Sequence, residues 1–578
     1  MALVTYQRLD LLYDELRVLV LQPGEGDAPI SAYLTPTTLH SNLPYEALSY
    51  VWGDPCVTRS IQLRAMDNMN FLGVEVEVQI TTNLESALRH LRLKDRSRTL
   101  WVDALCINQN DPDEKVHQIR NMGDIYRKAS SVCMWLGEEA NDSDAAMELI
   151  HLYRDDDPDW RRLPQTKNWS RHCKALTYLV CRPWFTRRWI VQEIALAPCS
   201  VIYFKGWLCS NEHLQSWLTG VGHIVSIQTA LNAIARDRFP ALSMLLKIFQ
   251  SKYVTNPRDA VYALLSLSKE RQLGQPNIDY TAGILDVFRN TVELSVRVNE
   301  TLDIICQSFG LGPCEHELSW VPRFYTKFRD CACRKENDLP GEGYPYRSES
   351  PYSTSGSSKP EANFNGHKLV AKGFLIDRVR NILEPEIRTA LSLEIPLSWK
   401  EAVLSLDAIC IDGGNRGHEA LATDHASKFS AFWRTLVTDR VPGSPKNNKA
   451  PKNWHRACEK WCNGDMVVPQ YSSAFEARKR RSCLSLIFVA IWRSTYDRRF
   501  MVTGMNRIGL GPKMLKEGDL VCVLLGCSVP VILRPATDPA LAGCYYFIGD
   551  AYVHGIMDGE VVTRLEAGDY TPEDLVII

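Results

Sequence analysis

Between Arg98 and Gly206 the sequence alternates between short apolar runs of β-forming residues and amphipathic helical patterns. The runs at 100–108, 131–137 and 200–206 predict strands, and the patterns between them predict helices. This alternation is typical of an α/β layer with parallel strands, because each helix returns the chain to the start of the next strand. We therefore expect an N-terminal α/β domain in which helices cover both faces of a parallel sheet.

Upstream of this region, the segment YEALSYVWGDP at 45–55 predicts a further strand that ends in a Gly-Asp-Pro turn. Tyr50, Trp52, Gly53 and Asp54 then lie at the carboxyl end of the strand, where open α/β sheets bind ligands. An exposed Trp52 would stack on a base or a nicotinamide ring, whereas a buried Trp52 would fill the core. The sequence leaves both interpretations open.

The length of 578 residues predicts several domains. Two segments rich in Pro, Gly, Ser or Asn, at 338–366 and 441–453, are typical of linkers or mobile insertions. The predicted order is an α/β domain at 1–210 with its core at 45–197, a mainly helical domain at 211–337, the linker or insertion at 338–366, an α+β segment at 367–440, the linker at 441–453, and a C-terminal helix with a small β module at 454–578.

Charge and hydropathy exclude several classes of protein. Sixty-six Lys and Arg residues against 68 Asp and Glu residues lack the basic excess of a nucleic-acid-binding protein. The apolar run at 484–492 is about half of the roughly 18 residues that a membrane helix needs, and the N-terminus lacks the pattern of a signal peptide. We therefore predict a cytoplasmic protein with reduced cysteines, no membrane span and no nucleic-acid partner.

The remaining motifs have simpler structural explanations. His455, Cys458 and Cys462 lack the spacing of a zinc site, as does the pair Cys331 and Cys333, so we predict no metal. Cys106 is expected to be a buried thiol rather than a nucleophile. The basic run 478–481 fits a solvated helix face better than a localisation signal.

Three blocks, in this order, carry a resemblance to a known family: YEALSYVWGDP, LWVDALCINQNDPDEKVHQIRNMGDIYRKASSVCMWLG and RPWFTRRWIVQEIALA. They resemble the signature motifs of the fungal heterokaryon-incompatibility (HET) domain. Segments at 255–267, 319–324 and 518–535 are similar to those that follow this domain in long fungal members. The resemblance implies a protein of allorecognition that takes part in programmed cell death, with an incompatibility partner protein.

The HET domain also resembles, more distantly, the flavodoxin-like TIR fold, which signals by self-assembly or cleaves NAD. Catalytic TIR domains carry a Trp with a Glu four residues later, and Trp189 and Glu193 have that spacing here. This sequence departs from the TIR pattern at Ile190, where a Cys is usual, and at Arg187 and Arg188. The resemblance implies an enzyme that hydrolyses NAD+ as its substrate, holds no cofactor, and uses Glu193 as its catalytic carboxylate.

The chemistry of that reaction suits an acidic residue, because cleavage of the nicotinamide bond builds positive charge on the ribose. Since Pro183 is expected to open a helix that continues through Glu193, Trp189 and Glu193 would share one face of it, at a hollow on the edge of the sheet. The residues predicted to bind NAD+ are Tyr50, Trp52, Gly53, Asp54, Asp103, Arg188, Trp189 and Gln192.

Two alternatives remain open at the sequence level. Glu193 could pair with Arg187 or Arg188, and Asp103 could simply hold the loop that follows its strand. The domain as a whole could be a non-catalytic module that self-assembles or binds a partner, with Trp52 and Trp189 as interface anchors.

Overall fold

The computed structural model describes residues 6–65, 75–152, 169–198, 200–204, 207–209, 239–250, 252–273, 278–307, 318–325, 350–383, 397–412, 419–441, 449–463, 486–487, 490–491, 494–495 and 497–578. The chain divides into two compact units, Met1–Ala282 and Gly283–Ile578. The finer division into six parts remains a prediction. The helix patterns predicted between 211 and 238 lie outside the described residues, as do positions 338–349 and 442–448 of the two predicted linkers, whereas the rest of both linkers is described.

In the first unit the strands are β1 (Glu15–Leu21), β2 (Ser31–Thr38), β3 (Glu46–Ser49), β4 (Thr58–Ala65), β5 (Glu75–Thr81), β6 (Arg98–Trp101), β7 (Ser131–Trp135), β8 (Ser200–Phe204) and β9 (Trp207–Cys209). The helices are α1 (Thr82–Leu91), α2 (Asp103–Cys106), α3 (Pro112–Lys128), α4 (Ser143–Leu152), α5 (Trp169–Val180), α6 (Pro183–Thr186), α7 (Ile190–Ala195), α8 (Leu242–Ile248) and α9 (Asp259–Leu265).

These strands form one sheet in the order β5-β4-β2-β1-β6-β3-β7-β8-β9. Only its centre matches the predicted parallel sheet, since β6, β3, β7 and β8 pair in parallel. The flanks are largely antiparallel, since β1 pairs with β2 and β6, β4 with β5, and β8 with β9; the one parallel pairing in them joins β2 and β4 among the described strands. The expectation of a parallel sheet was therefore wrong for the flanks, because the antiparallel strands upstream of 45 and between 58 and 81 were not recognised.

The central strands and α3 form where the sequence predicted them. Val132 to Trp135 in β7 are at most 1% exposed, as expected for a strand covered on both faces. Helix α3 begins at Pro112, and the Asp111 carboxylate accepts hydrogen bonds from the amides of Asp113 and Glu114. This cap satisfies two of the amides that a helix start leaves unpaired.

In the second unit the strands are β10 (Ala362–Asn365), β11 (Lys368–Leu383), β12 (Ile409–Asp412), β13 (Glu419–Ala422), β14 (Arg498–Thr503), β15 (Ile508–Pro512), β16 (Leu520–Leu524), β17 (Val531–Pro535), β18 (Cys544–Asp550), β19 (Tyr552–Val553) and β20 (Glu573–Ile577). The helices are α10 (Ile284–Asn299), α11 (Leu397–Leu404), α12 (His425–Leu436), α13 (Trp454–Cys462) and α14 (Glu560–Glu566).

The long strand β11 organises the second unit. It pairs in turn with β20, β16 and β14, and the pairings β11-β16-β17-β18-β20-β11 close a ring of strands. The predicted C-terminal β-rich region is confirmed, and its sheet also takes in the hairpin β10–β11 from residues before 454. Among the described residues, no helix combines the length and the apolar character needed to cross a membrane.

Candidate functional site

The loop that follows β3 brings Trp52 to the surface. The Asn83 amide donates to the Val51 carbonyl, and Gly53 has a φ of +82°, a conformation that favours glycine. The Asp54 carboxylate accepts a 2.8 Å hydrogen bond from the Cys56 amide and so closes the turn. Trp52 is 42% exposed. The structure therefore places its indole at the surface and not in the core.

Asp103 connects this loop to the neighbouring strand. Strand β6 is followed by Val102 and then by Asp103. The Asp103 carboxylate accepts a 2.8 Å hydrogen bond from the Trp52 indole and a 2.7 Å hydrogen bond from the Ala104 amide. Burial raises the pKa of Asp103, while Arg187 and the Trp52 bond act in the opposite direction. Asp103 thus holds its own loop and the exposed indole together.

Glu193 lies beneath this surface. It is 2% exposed, and its carboxylate accepts a hydrogen bond from the Ser49 hydroxyl at the end of β3. The Trp184 indole in turn donates a 2.9 Å hydrogen bond to the Ser49 oxygen. Burial raises the pKa of Glu193 to about 6 against the opposing effects of Arg187 and Ser49, and the Asp103 charge raises it further.

The expected geometry around Glu193 differs from the observed one because the predicted helix is broken. Residues 183–186 form α6, and α7 starts again only at Ile190. Between them Arg187 is extended and forms a β-bridge with Tyr253. Glu193 then lies in the buried stripe of α7, which packs against α3 and α9, and does not face an open hollow.

Trp189, Arg188 and Gln192 point to a different part of the first unit. Arg188 is fully buried and donates to the carbonyls of Ala260 and Gln250, at 2.9 Å and 3.1 Å. Gln192 is also buried and accepts a hydrogen bond from Ser266.

The Trp189 indole hydrogen-bonds to Asp259, at the start of α9, whereas Glu193 bonds to Ser49. The pair Trp189 and Glu193 is therefore divided between two environments. The structure brings Asp103 and Trp52 together, and the charge of Asp103 raises the pKa of Glu193. Trp189, Arg188 and Gln192 instead contact residues that lie between positions 250 and 266.

Three residues of this site were not among the predicted ligand-binding residues. Arg187 donates to the Tyr50 carbonyl and lowers the pKa of both Asp103 and Glu193. Ser49 bonds Glu193 directly, and the Tyr126 hydroxyl donates to the Leu48 carbonyl at 3.3 Å. A polar residue at the end of an apolar strand was the available signal for Ser49, but nothing in the sequence pointed to Tyr126.

Two further buried polar groups belong to this part of the first unit. The Tyr50 side chain is 2% exposed, and its hydroxyl pairs with the Asp103 carboxylate, whose charge helps to raise the pKa of Tyr50. The Gln192 amide nitrogen has no hydrogen-bond partner within the described part of the chain.

The other candidate groups lie elsewhere. Burial raises the pKa of Cys106 to about 12, which confirms the prediction of a buried thiol. His455 accepts a 3.0 Å hydrogen bond from the Trp433 indole. No group of three or more potential metal ligands occurs within the described ranges. Cys331, Cys333 and the basic run 478–481 lie outside them.

Comparison with known proteins gives matches to two domain families. Residues 45–193 match the family model described as "Heterokaryon incompatibility protein (HET)", and residues 446–571 match the "Het-6 beta-barrel domain". The first match spans β3 to α7 and therefore contains the site described above.

Two similar proteins come from fungi. "Heterokaryon incompatibility protein 6, OR allele" from Neurospora crassa is 24% identical over 633 residues, which cover 91% of each chain. "Vegetative incompatibility protein HET-E-1" from Podospora anserina is 29% identical over 164 residues, which cover 28% of this chain and 10% of that protein. No solved structure matches the chain. As its three sequence blocks predicted, the chain contains a domain of the heterokaryon-incompatibility (HET) family at residues 45–193.

Proposed function

We propose that the chain acts in the cytoplasm in fungal heterokaryon incompatibility, and that its HET domain produces the cell-death response. Support comes from the Neurospora relative, which is named for incompatibility and aligns over 91% of both chains. The HET match and the barrel-domain match occur in one chain, so this chain has both parts that the family models describe.

The strand order supports a TIR-like, flavodoxin-like fold for the HET domain. Along the chain the four parallel strands are β3, β6, β7 and β8, and across the sheet they lie in the order second, first, third, fourth. This order is that of doubly wound flavodoxin-like sheets, whose ligands bind where the winding direction changes. Here the direction changes at β3, the strand whose following loop carries Trp52.

The contrast between Trp52 and Glu193 favours a non-catalytic module. Trp52 is 42% exposed and Glu193 only 2%. A carboxylate that stabilises a ribosyl cation has to contact the sugar, but the Glu193 carboxylate is buried and already bonded to Ser49. An exposed indole held by a carboxylate is suited to anchoring a protein contact. We therefore propose that the loop containing Trp52 binds a partner protein or a second copy of this chain.

Hydrolysis of NAD+ is the second candidate. It is supported by the convergence of Asp103 and Glu193 with Arg187, and by the raised pKa of both carboxyl groups, a pattern that is common at catalytic sites. In this version Glu193 stabilises the ribosyl cation, and Trp52 covers a ring of the substrate. The Ser49–Glu193 contact would have to open before the carboxylate could reach the ribose.

Inducible expression in a fungal host, with cell death and NAD+ followed over time, tests both versions. Trp52→Ala removes the exposed anchor, Glu193→Gln removes the acid, and Tyr178→Ala is a matched control because Tyr178 is a 46% exposed aromatic residue of α5. For a module, we expect death with constant NAD+ in the wild type and in Glu193→Gln, and survival with Trp52→Ala.

For the enzyme, NAD+ falls in the wild type and stays constant in Glu193→Gln. Survival of cells that express the wild-type chain at high level would contradict the cell-death role itself. Cell death that persists with both Trp52→Ala and Glu193→Gln would agree with the cell-death role but would show that this site does not produce it.

A further inference from the structure

Two thiols from distant parts of the chain meet in the second unit. The sulfur atoms of Cys306 and Cys527 lie 3.5 Å apart, although 221 positions separate the residues. Cys306 belongs to the 3-10 helix Asp303–Gln307, and Cys527 lies in the turn that follows β16. This contact is separate from the site around Trp52, which lies in the first unit.

Hydrogen bonds on both sides of the thiols fix the two backbones relative to each other. The Leu302 amide and the Thr301 hydroxyl each donate to the Gly526 carbonyl at 2.9 Å. On the other side, the Ser528 amide donates to the Asp303 carboxylate at 2.7 Å. These bonds hold the backbones of Cys306 and Cys527 beside each other, and the rotamers of the two cysteine side chains then set the distance between the sulfur atoms.

The turn that carries Cys527 has little freedom to move away. Gly526 has a φ of +80°, and a Cβ atom at this position would lie 2.4 Å from the Pro360 nitrogen. The Cys527 amide also donates a 3.0 Å hydrogen bond to the Leu524 carbonyl at the end of β16. Because the turn is held against both Pro360 and the strand, Cys527 keeps its position beside Cys306.

The thiols are close to the separation that a disulfide requires. A disulfide bond is about 2.05 Å long, so the sulfur atoms have to approach by about 1.5 Å from their 3.5 Å contact. Side-chain rotation provides such movement without a change of backbone register. Cys527 is fully buried and Cys306 is partly buried, so Cys306 is the residue of the pair that lies nearer to solvent.

We propose that Cys306 and Cys527 are a reversible oxidation site that forms an intramolecular disulfide with a peroxide oxidant. One thiol reacts with hydrogen peroxide to give a sulfenic acid and water. The second thiol displaces hydroxide from that sulfur, which forms the S–S bond and releases a second water. Two thiols are oxidised and one peroxide is reduced to two waters.

The pKa of Cys306 limits the rate of this reaction, and the length of the loop it closes favours its product. The hydrogen bond to Cys527 and burial raise the pKa of Cys306 well above its ordinary value, so little thiolate is present at neutral pH, and oxidation by peroxide is expected to be faster at higher pH. The product would join the 3-10 helix to the ring of strands across 221 positions, and cross-links that close long loops stabilise the folded state.

The experiment uses the full chain, purified in reduced form and treated with hydrogen peroxide. Remaining thiols are alkylated under denaturing conditions, and disulfide-linked peptides are identified by mass spectrometry. We expect most of the linked material to join Cys306 to Cys527, to disappear with dithiothreitol, and to be accompanied by a higher melting temperature of the second unit. Cys306→Ser and, separately, Cys527→Ala should abolish the linked peptide and the rise in melting temperature.

Two matched controls distinguish this pair from general oxidation. Cys56 is an exposed thiol of the first unit, and Cys522 is a buried thiol of β16 five positions before Cys527. Neither Cys56→Ser nor Cys522→Ala should reduce the amount of linked peptide. The proposal is overturned if Cys306 and Cys527 of the wild-type chain are both recovered in alkylated form while Cys56 is oxidised, or if Cys527 is linked to a different cysteine.

Discussion

Ser49 shows how one small side chain determines the environment of a functional candidate. Its hydroxyl donates to Glu193 and accepts the Trp184 indole N–H, so it links α7 and α6 to the end of β3. The sequence identified Glu193 by its spacing from Trp189, but spacing cannot show which partner a carboxylate finds across 144 positions. At the residue scale, the sequence therefore identified the acid and not its surroundings.

Loss of the Ser49 hydroxyl should destabilise the first unit. Ser49→Ala leaves the buried Trp184 N–H without its acceptor and removes a donor that lowers the pKa of Glu193. We expect a loss of about 1–3 kcal/mol in unfolding free energy and a further rise in the pKa of Glu193. Hydrogen exchange of the β3 amides at increasing urea concentration measures the loss in unfolding free energy. NMR titration measures the pKa of Glu193.

Ser130→Ala is the control for this substitution. The Ser130 hydroxyl donates to the Tyr45 carbonyl, but the Ser130 amide already donates to the same carbonyl. Its removal should therefore cost much less free energy. Equal losses of unfolding free energy for the two variants would mean that the Ser49 hydrogen bonds contribute no more to stability than the Ser130 hydrogen bond.

The buried Glu193 should make the stability of the first unit depend on pH. Its pKa is raised from 4.5 to about 6, so the folded state holds this proton more tightly than the unfolded chain does. The stabilisation from the bound proton is complete below 4.5 and is lost as the pH rises through about 6, a change on the order of 2 kcal/mol. Glu193→Gln keeps an acceptor for Ser49 and has no proton to lose.

We therefore expect Glu193→Gln to show a smaller loss of stability across this pH window than the wild-type chain. Unfolding free energies of the first unit on either side of the window provide the measurement. Parallel curves for the two proteins would show that Glu193 does not titrate in this range.

At the scale of elements, helix packing overrides helix propensity at Gly123. This glycine lies inside α3, where alanine would normally favour the helix by roughly 1 kcal/mol. A Cβ atom here, however, would lie 2.8 Å from the Ser266 Cβ and 3.1 Å from a Leu196 methyl. The start and length of α3 could be predicted from its cap and apolar face, but this close approach could not, because it depends on the segment that follows α9.

Gly123→Ala should therefore lower the stability of the first unit, by about 1–3 kcal/mol, instead of raising it. The double variant with Ser266→Gly should recover part of that loss, because it removes the Cβ that the added methyl group would meet. Unfolding free energies of the two single variants and the double variant form a mutant cycle. Additive changes in unfolding free energy would show that there is no steric conflict between the side chains at positions 123 and 266.

At the scale of the whole molecule, the two units differ in how much of their architecture the sequence reveals. Alternating strand and helix patterns predicted the α/β centre of the first unit, but not its mixed sheet of nine described strands. In the second unit the sequence indicated β structure near the C-terminus. The ring of strands depends on β11, which pairs with β20 up to Gly373 and with β16 from Gly373 onward.

Ring closure should depend on the absence of a side chain at Gly373. A Cβ atom there would lie 2.6 Å from the Val523 carbonyl oxygen and 2.9 Å from a Leu524 methyl, both in β16. Gly373→Ala should therefore destabilise the second unit by about 1–3 kcal/mol and leave hydrogen exchange in β3 and β7 of the first unit unchanged. Hydrogen exchange of the amides in β11 and β16 measures the effect.

Gly504→Ala serves as the control for Gly373→Ala. The nearest atom to its Cβ would be a side-chain oxygen of Asp377 at 3.1 Å, farther away than the backbone oxygen that a Cβ at Gly373 would meet at 2.6 Å, so the loss should be much smaller. Equal exchange rates in β16 for the two variants would argue against close packing at Gly373 as the condition for ring closure.

The HET-domain match, the central strands and the start of α3 could be predicted from the sequence. These depend on local patterns: apolar runs, a cap, turn residues and three ordered motifs. The exposure of Trp52, the burial of Glu193 against Ser49, and the contacts of Arg188 and Trp189 with Gln250, Asp259 and Ala260 became evident from the folded chain. The physical reason is that burial and hydrogen-bond partners arise from contacts between segments far apart in the chain, which local patterns do not encode.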